Sequence, residues 1–82
     1  MIFTKHEFYV KLTTVDDVKR FVEVAMLCPY EITASHKQFV VDGTSLLGLF
    51  SLDLSNPIKI TLTCDMAISS DTLNAFQEFM IE

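Results

Sequence analysis

The chain has no tryptophan, and among its 82 residues there are two glycines, two prolines, two cysteines and two histidines. Each scarcity excludes something. Cys28 and Cys64 lie far apart with no CxxC spacing and read as two small buried hydrophobes, so neither a disulfide scaffold nor a zinc motif is expected. Two histidines, His6 and His36, are too few for a multi-ligand metal cluster, and no cofactor is expected. Lys and Arg together number 6 against 11 Asp and Glu, for a formal net charge of −5. There is no basic cluster to meet a phosphate backbone, so a nucleic-acid partner is not expected. No apolar run approaches the roughly 18 residues that span a bilayer. The opening "MIFTKHEFYV" lacks the apolar core of a signal peptide, and a soluble cytoplasmic protein is expected, with no membrane partner.

What is present is a globular composition. Half of the residues, 50%, are hydrophobic. With no linker, repeat or low-complexity segment, residues 1–82 read as a single domain. The hydrophobic period changes several times. "EFYVKL" alternates, with Phe8, Val10 and Leu12 on one side, and reads as a half-buried strand. "TTVDDVKRFVEVAMLC" switches to helical period, with Val15, Val18, Val22, Ala25 and Met26 on one face. Thr14 is its expected N-cap, Asp16 and Asp17 favour the positive end of the helix dipole, and Pro29 ends it. "YEITA" and "QFVVD" read as two strands joined through "SHK", with Ile32, Ala34, Phe39 and Val41 inward. "IKITLTC" alternates most cleanly, with Ile58, Ile60, Leu62 and Cys64 on one side. "SSDTLNAFQEFMIE" reads as a last helix, with Ser70 as N-cap and Leu73, Phe76 and Met80 as its core stripe, beside Phe79.

The stretch "GTSLLGLFSLDL", Gly43 to Leu54, does not alternate and fits helical spacing better. Ser45 is its natural N-cap, and Gly43 allows a sharp exit from the strand before it. Leu46, Leu49 and one of Phe50 or Leu52 can reach a core, which leaves Leu47 and a neighbour near solvent. Gly48 costs about 1 kcal/mol in a helix relative to alanine, and so signals close packing or a short, weak helix. The element order is then β-α-β-β-α-β-α. Alternating strands with one polar face imply an α+β fold, a four-stranded antiparallel sheet with three helices on one face.

These residues carry a resemblance. "GTSLLGLFSLDL" resembles the serine-centred short helix of HPr, the histidine-containing phosphocarrier of the bacterial sugar phosphotransferase system. "FVEVA" followed by "EITA" is similar to the first helix and second strand of that family. "ITLTCD" and "DTLNAFQEFM" are similar to its last strand and helix. The resemblance covers nearly the whole chain and implies the HPr-like open-faced β-sandwich.

In that family a histidine in a Gly-Leu-His-x-Arg-Pro motif accepts phosphate from enzyme I and passes it to a sugar-specific enzyme IIA. Counting back from Phe21 and Val22 puts Thr14 at the histidine position, Asp16 at the arginine and Asp17 at the proline. Threonine has no imidazole nitrogen to carry a labile phosphoryl group. Asp16 reverses the sign of the charge that would neutralise it; even in water, unit charges about 6 Å apart interact by roughly 0.7 kcal/mol. No catalytic residue is therefore expected, and the chain reads as a non-enzyme, with His6 and His36 as surface residues. Ser45 matches the family's regulatory serine and is the candidate for regulatory phosphorylation, beside its plain reading as an N-cap. Leu46, Leu47 and Phe50 match the apolar patch through which family members dock partners. The resemblance thus implies a non-catalytic protein-binding or regulatory module working through the helix over residues 45–52, with phosphotransferase components as candidate partners. The alternatives are a working phosphocarrier with an unusual acceptor, or a homo-oligomeric assembly protein.

Overall fold

The structure, a computed structural model, describes residues 4–65 and 67–81. The elements run β1 (Thr4–Val10), α1 (Val15–Leu27), β2 (Glu31–His36), β3 (Phe39–Asp42), α2 (Leu46–Phe50), β4 (Ile58–Cys64) and α3 (Ser70–Ala75), followed by a 3-10 turn at Gln77–Phe79. All strand pairs are antiparallel, in the order β1-β4-β2-β3. The late strand β4 therefore lies between the two strands that α1 connects. This is the expected α+β open-faced sandwich, with the helices on one face of a four-stranded sheet.

Period explains the layering. In β4, Ile58, Ile60 and Leu62 are fully buried, while Lys59, Thr61 and Thr63 between them stay partly exposed. Their β2 partners Ala34 and Ile32 are buried on the same side, as is Val10 of β1. On the other face Lys59 reaches Glu7 at 3.4 Å. The helical layer closes the core with Val18, Phe21 and Ala25 of α1, Leu49 of α2, and Phe76 and Phe79 near the C-terminus. Phe21 is the hinge of that packing. Its ring centroid lies 5.4 Å from that of Phe76 and 5.5 Å from that of Phe79, the latter edge-on, and Phe8 reaches Phe76 at 5.6 Å. Such tilted and edge-on pairs add to burial because ring edges and faces carry opposite partial charge.

Several expectations need correcting. The buried face of α1 centres on Val18, Phe21 and Ala25, whereas Val15 and Met26 point to solvent, 55% and 70% exposed. Phe21 wins because one aromatic ring buries more area than a terminal valine or methionine. The first strand begins earlier, at Thr4, so His6 lies within it rather than before it. Phe39 has inward parity but pairs with His36 at the hairpin tip and is 60% exposed. The hairpin turns at Lys37 and Gln38, with Lys37 at a left-handed φ of 57°. Cys28 is a free thiol, and both it and Cys64 are only half-buried.

The last helix is capped by Ser69, not Ser70, through a hydrogen bond from the Thr72 N–H. It does not run on to Met80. After Ala75 it tightens into the 3-10 turn, in which residues three apart eclipse, and this lets both Phe76 and Phe79 face the core. Met80 is extended and bridges to Val10. Glu82, at the end of the expected helix, lies outside the described residues.

Gly43, between β3 and α2, donates its N–H to the Ile32 carbonyl at 2.9 Å. A Cβ there would stand 2.7 Å from Ile32 Cγ1. Gly43→Ala is expected to destabilise the fold by about 1–3 kcal/mol through overpacking, read as a lower urea midpoint; an unchanged midpoint would show that the approach of β2 and the β3–α2 corner is looser than described.

Candidate functional site

Two helix starts carry the residues of interest. At the first, Thr14 is extended and caps α1, its Oγ1 accepting the Asp17 N–H at 3.1 Å. Asp17 answers in kind. Its Oδ2 accepts the N–H groups of Thr13 and Thr14 at 3.0 and 3.1 Å. This reciprocal capping box satisfies donors that a helix terminus otherwise leaves open. The other oxygen, Oδ1, accepts from Arg20 Nη2 at 2.8 Å. Arg20 also bonds Glu78 at 3.3 Å, and its guanidinium lies over the Phe79 ring at 5.7 Å. The N–H groups of Thr13 and Thr14, followed by Arg20, hold the Asp17 carboxyl below its ordinary value. Asp16 is exposed beside it. The chain's own carboxylate thus takes the two N–H groups just ahead of the helix, and places a negative charge where helix starts favour an anion.

At the second start, Ser45 caps α2, its Oγ accepting the Gly48 N–H at 3.0 Å, and it is half-buried. The loop before it is held by Asp42, which accepts the Thr44 N–H at 2.8 Å and the Thr44 hydroxyl at 2.7 Å. These two bonds, the backbone one first, keep the Asp42 carboxyl below its ordinary value. Gly48 has a packing reason, since a Cβ on it would meet Val41 Cβ at 3.1 Å. The helix covers Leu46–Phe50, shorter than the expected 45–52. It splits the expected apolar trio. Leu46 is half-buried against the core, while Leu47 is 82% and Phe50 40% exposed. Leu49 and Leu52 are buried, as expected of Leu49 and of one of Phe50 or Leu52. α1 and α2 pack against each other.

No family model matches the sequence, and no curated protein matches it. Among solved structures, the crystal structure of HPr-C-His from Thermoanaerobacter tengcongensis matches with a TM-score of 0.65, over 95% of this chain and 89% of that one, at 21% identity. The fold is HPr-like.

At that identity the likeness concerns the fold. Within this HPr-like fold, Thr14 and Ser45 stand at the starts of the first two helices as their N-caps. His36 is not the solvated surface residue expected. It is half-buried, and its Nε2 is buried without a hydrogen-bond partner. His6 is exposed in β1, its ring 6.0 Å from that of Phe8. The reading of the sequence overlooked the bonds of Asp17 to Thr13, Thr14 and Arg20. The signal was available: Thr14 followed three positions later by an acid, ahead of an apolar run, is a capping-box pattern.

Asp53 is likewise held low, by the Ser55 hydroxyl and then the Ser55 N–H. For Asp17, Asp42 and Asp53 the folded value lies below the unfolded one. Their contribution is therefore complete above about pH 4 and is lost as the pH falls through the folded values. Urea midpoints measured at stepped pH are expected to fall below about pH 4, and Asp17→Asn to flatten that fall. A midpoint independent of pH in that range would contradict the assignment. Thr14→Ala is expected to cost about 1 kcal/mol through loss of the cap, read in the same titration at neutral pH.

Proposed function

We propose that this chain is a non-catalytic, HPr-like protein-binding or regulatory module that docks a protein partner through α2. The observation that carries the reading is the exposure of Leu47, 82%, next to a capped and well-packed helix start. A five-residue helix that leaves Leu47 and part of Phe50 in water gains little folding energy from those exposed groups. Exposed apolar groups of this kind fit a partner's pocket.

The other helix start supports the non-catalytic half of the reading. Thr14 offers no imidazole, its hydroxyl oxygen accepts the Asp17 N–H, and the N–H groups of Thr13 and Thr14 are spent on Asp17. An incoming phosphoryl group would meet Asp16 and Asp17 rather than a free cation. Ser45 is the candidate for regulation. A phosphate there would sit at the positive end of α2, but would have to displace its cap to Gly48. Phosphotransferase components are the first partners to try, in the cytoplasm and in the context of sugar uptake.

Purified enzyme I, an enzyme IIA and the serine kinase of that system, each titrated against the chain by calorimetry, test the reading. Binding by any of them is expected, weakened at least tenfold by Leu47→Asp with the fold intact by circular dichroism, as for a central contact. Unchanged affinity in the variant, or binding by none, would sink α2 as the docking surface for this system. Incubation with enzyme I and phosphoenolpyruvate is expected to leave the intact mass unchanged; an added phosphate would establish a working carrier instead. Light scattering across a concentration series separates the homo-oligomeric alternative, which requires a mass that rises with concentration and falls back in Leu47→Asp.

A further inference from the structure

A cavity lies away from both helix starts. It has a volume of about 750 Å³ and opens where the β2–β3 hairpin tip, the start of β4, the end of β1 and the C-terminal Ile81 converge. No residue of α1 or α2 lines it. The size falls within the usual range for small-molecule sites.

Its lining runs against the character of the chain. The protein carries 11 acidic residues against 6 Lys and Arg. Yet this cavity is lined by His36, Lys37 and Lys59 and by no carboxylate, together with the polar groups of Tyr9, Ser35 and Asn56 and an apolar floor from Phe8, Pro57 and Ile81. Two acids stand nearby, and a bound anion would compete with Glu7 for Lys59. Glu7 meets Lys59 from the outer face of the sheet at 3.4 Å, and Asp53 accepts from Ser55 and Asn56.

His36 and Lys37 are adjacent on the lining. His36 lines the cavity through other atoms of its side chain or backbone, since its Nε2 is buried and does not face the opening. Lys37 is the one described non-glycine residue with a left-handed backbone, at a φ of 57°. The two-residue β2–β3 turn uses that conformation, and it holds Lys37 exposed at the hairpin tip. Ile81, also on the lining, donates its N–H to the Tyr9 carbonyl at 3.1 Å.

We propose that this cavity binds a small organic anion, a phosphate ester or carboxylate on an apolar body, with Lys37 and Lys59 on the charged group and Phe8, Pro57 and Ile81 under the body. The site is independent of the docking reading for α2 and stands or falls without it.

Phenyl phosphate, benzoate and neutral benzyl alcohol, each titrated into the protein labelled for amide NMR, test it. Either anion is expected to shift the Ser35, His36, Lys37, Asn56 and Lys59 amides along one saturating curve, with a dissociation constant of about 1 mM or tighter. The tighter of the two identifies the headgroup. Benzyl alcohol is expected to bind at least tenfold more weakly. Lys37→Gln, an exposed position, is expected to weaken the anion at least tenfold with an unchanged melting temperature, and Lys59→Gln to do the same independently. Non-saturating shifts, equal affinity for benzyl alcohol, full affinity in both lysine variants, or shifts confined to the amides around Thr14 or Ser45 would each overturn the assignment.

Discussion

The carboxylate of Asp17 closes the start of α1, and most of what distinguishes this molecule follows from that bond set. A helix start presents unpaired N–H groups and a partial positive charge. Left open, it is a site for an external anion. Here Asp17 takes the Thr13 and Thr14 N–H groups on one oxygen and Arg20 on the other, and Thr14 returns a bond to the Asp17 N–H. Arg20 then extends the network to Glu78 and the face of Phe79, so the helix start is tied to the C-terminal turn. The same turn supplies the rings that pack on Phe21. Local capping and core packing thus fix one helix in one place, with the carboxylates of Asp16 and Asp17 in its first turn.

The second helix start is built on the opposite plan. Five residues are too few to hold a helix in water on their own. α2 persists because Ser45 caps it, Gly48 lets it lie against Val41, and Leu49 and Leu52 are buried beneath it. Leu47 and Phe50 take no comparable part in that anchoring. Burying such a side chain is worth about 1.5–3 kcal/mol, a gain left open for another surface to collect. One HPr-like fold therefore combines a helix start capped by its own carboxylate with a short helix that leaves Leu47 in solvent.

Much of the architecture was legible because β4 alternates without exception and because Thr14, Ser45 and Gly43 are local signals read from neighbouring residues. The α2 stretch was legible for a different reason: it holds more leucines than one face of a short helix can bury, so Leu47 had to be exposed. What escaped was set by distant contacts. Val15 and Met26 share a face with Val18 by period, but the face that is buried was decided by where Phe76 and Phe79 come to rest. The tightening after Ala75 has the same origin, since two phenylalanines three residues apart both had partners in the core. His36 reads as an exposed hairpin residue until β4 and the turn at Asn56 are folded against it. The cavity was invisible in sequence because its walls come from four separate segments.

The central claim is that Asp17 occupies the start of α1, and the most direct measurement follows its side-chain carboxyl by carbon-detected NMR from about pH 7 to about pH 2. The account predicts a midpoint below the ordinary aspartate value, with the Thr13 and Thr14 amide protons moving at that same midpoint as their hydrogen bonds weaken. A midpoint at or above the ordinary value, with those two amides unresponsive to it, would contradict the account and leave the helix start open to an external anion.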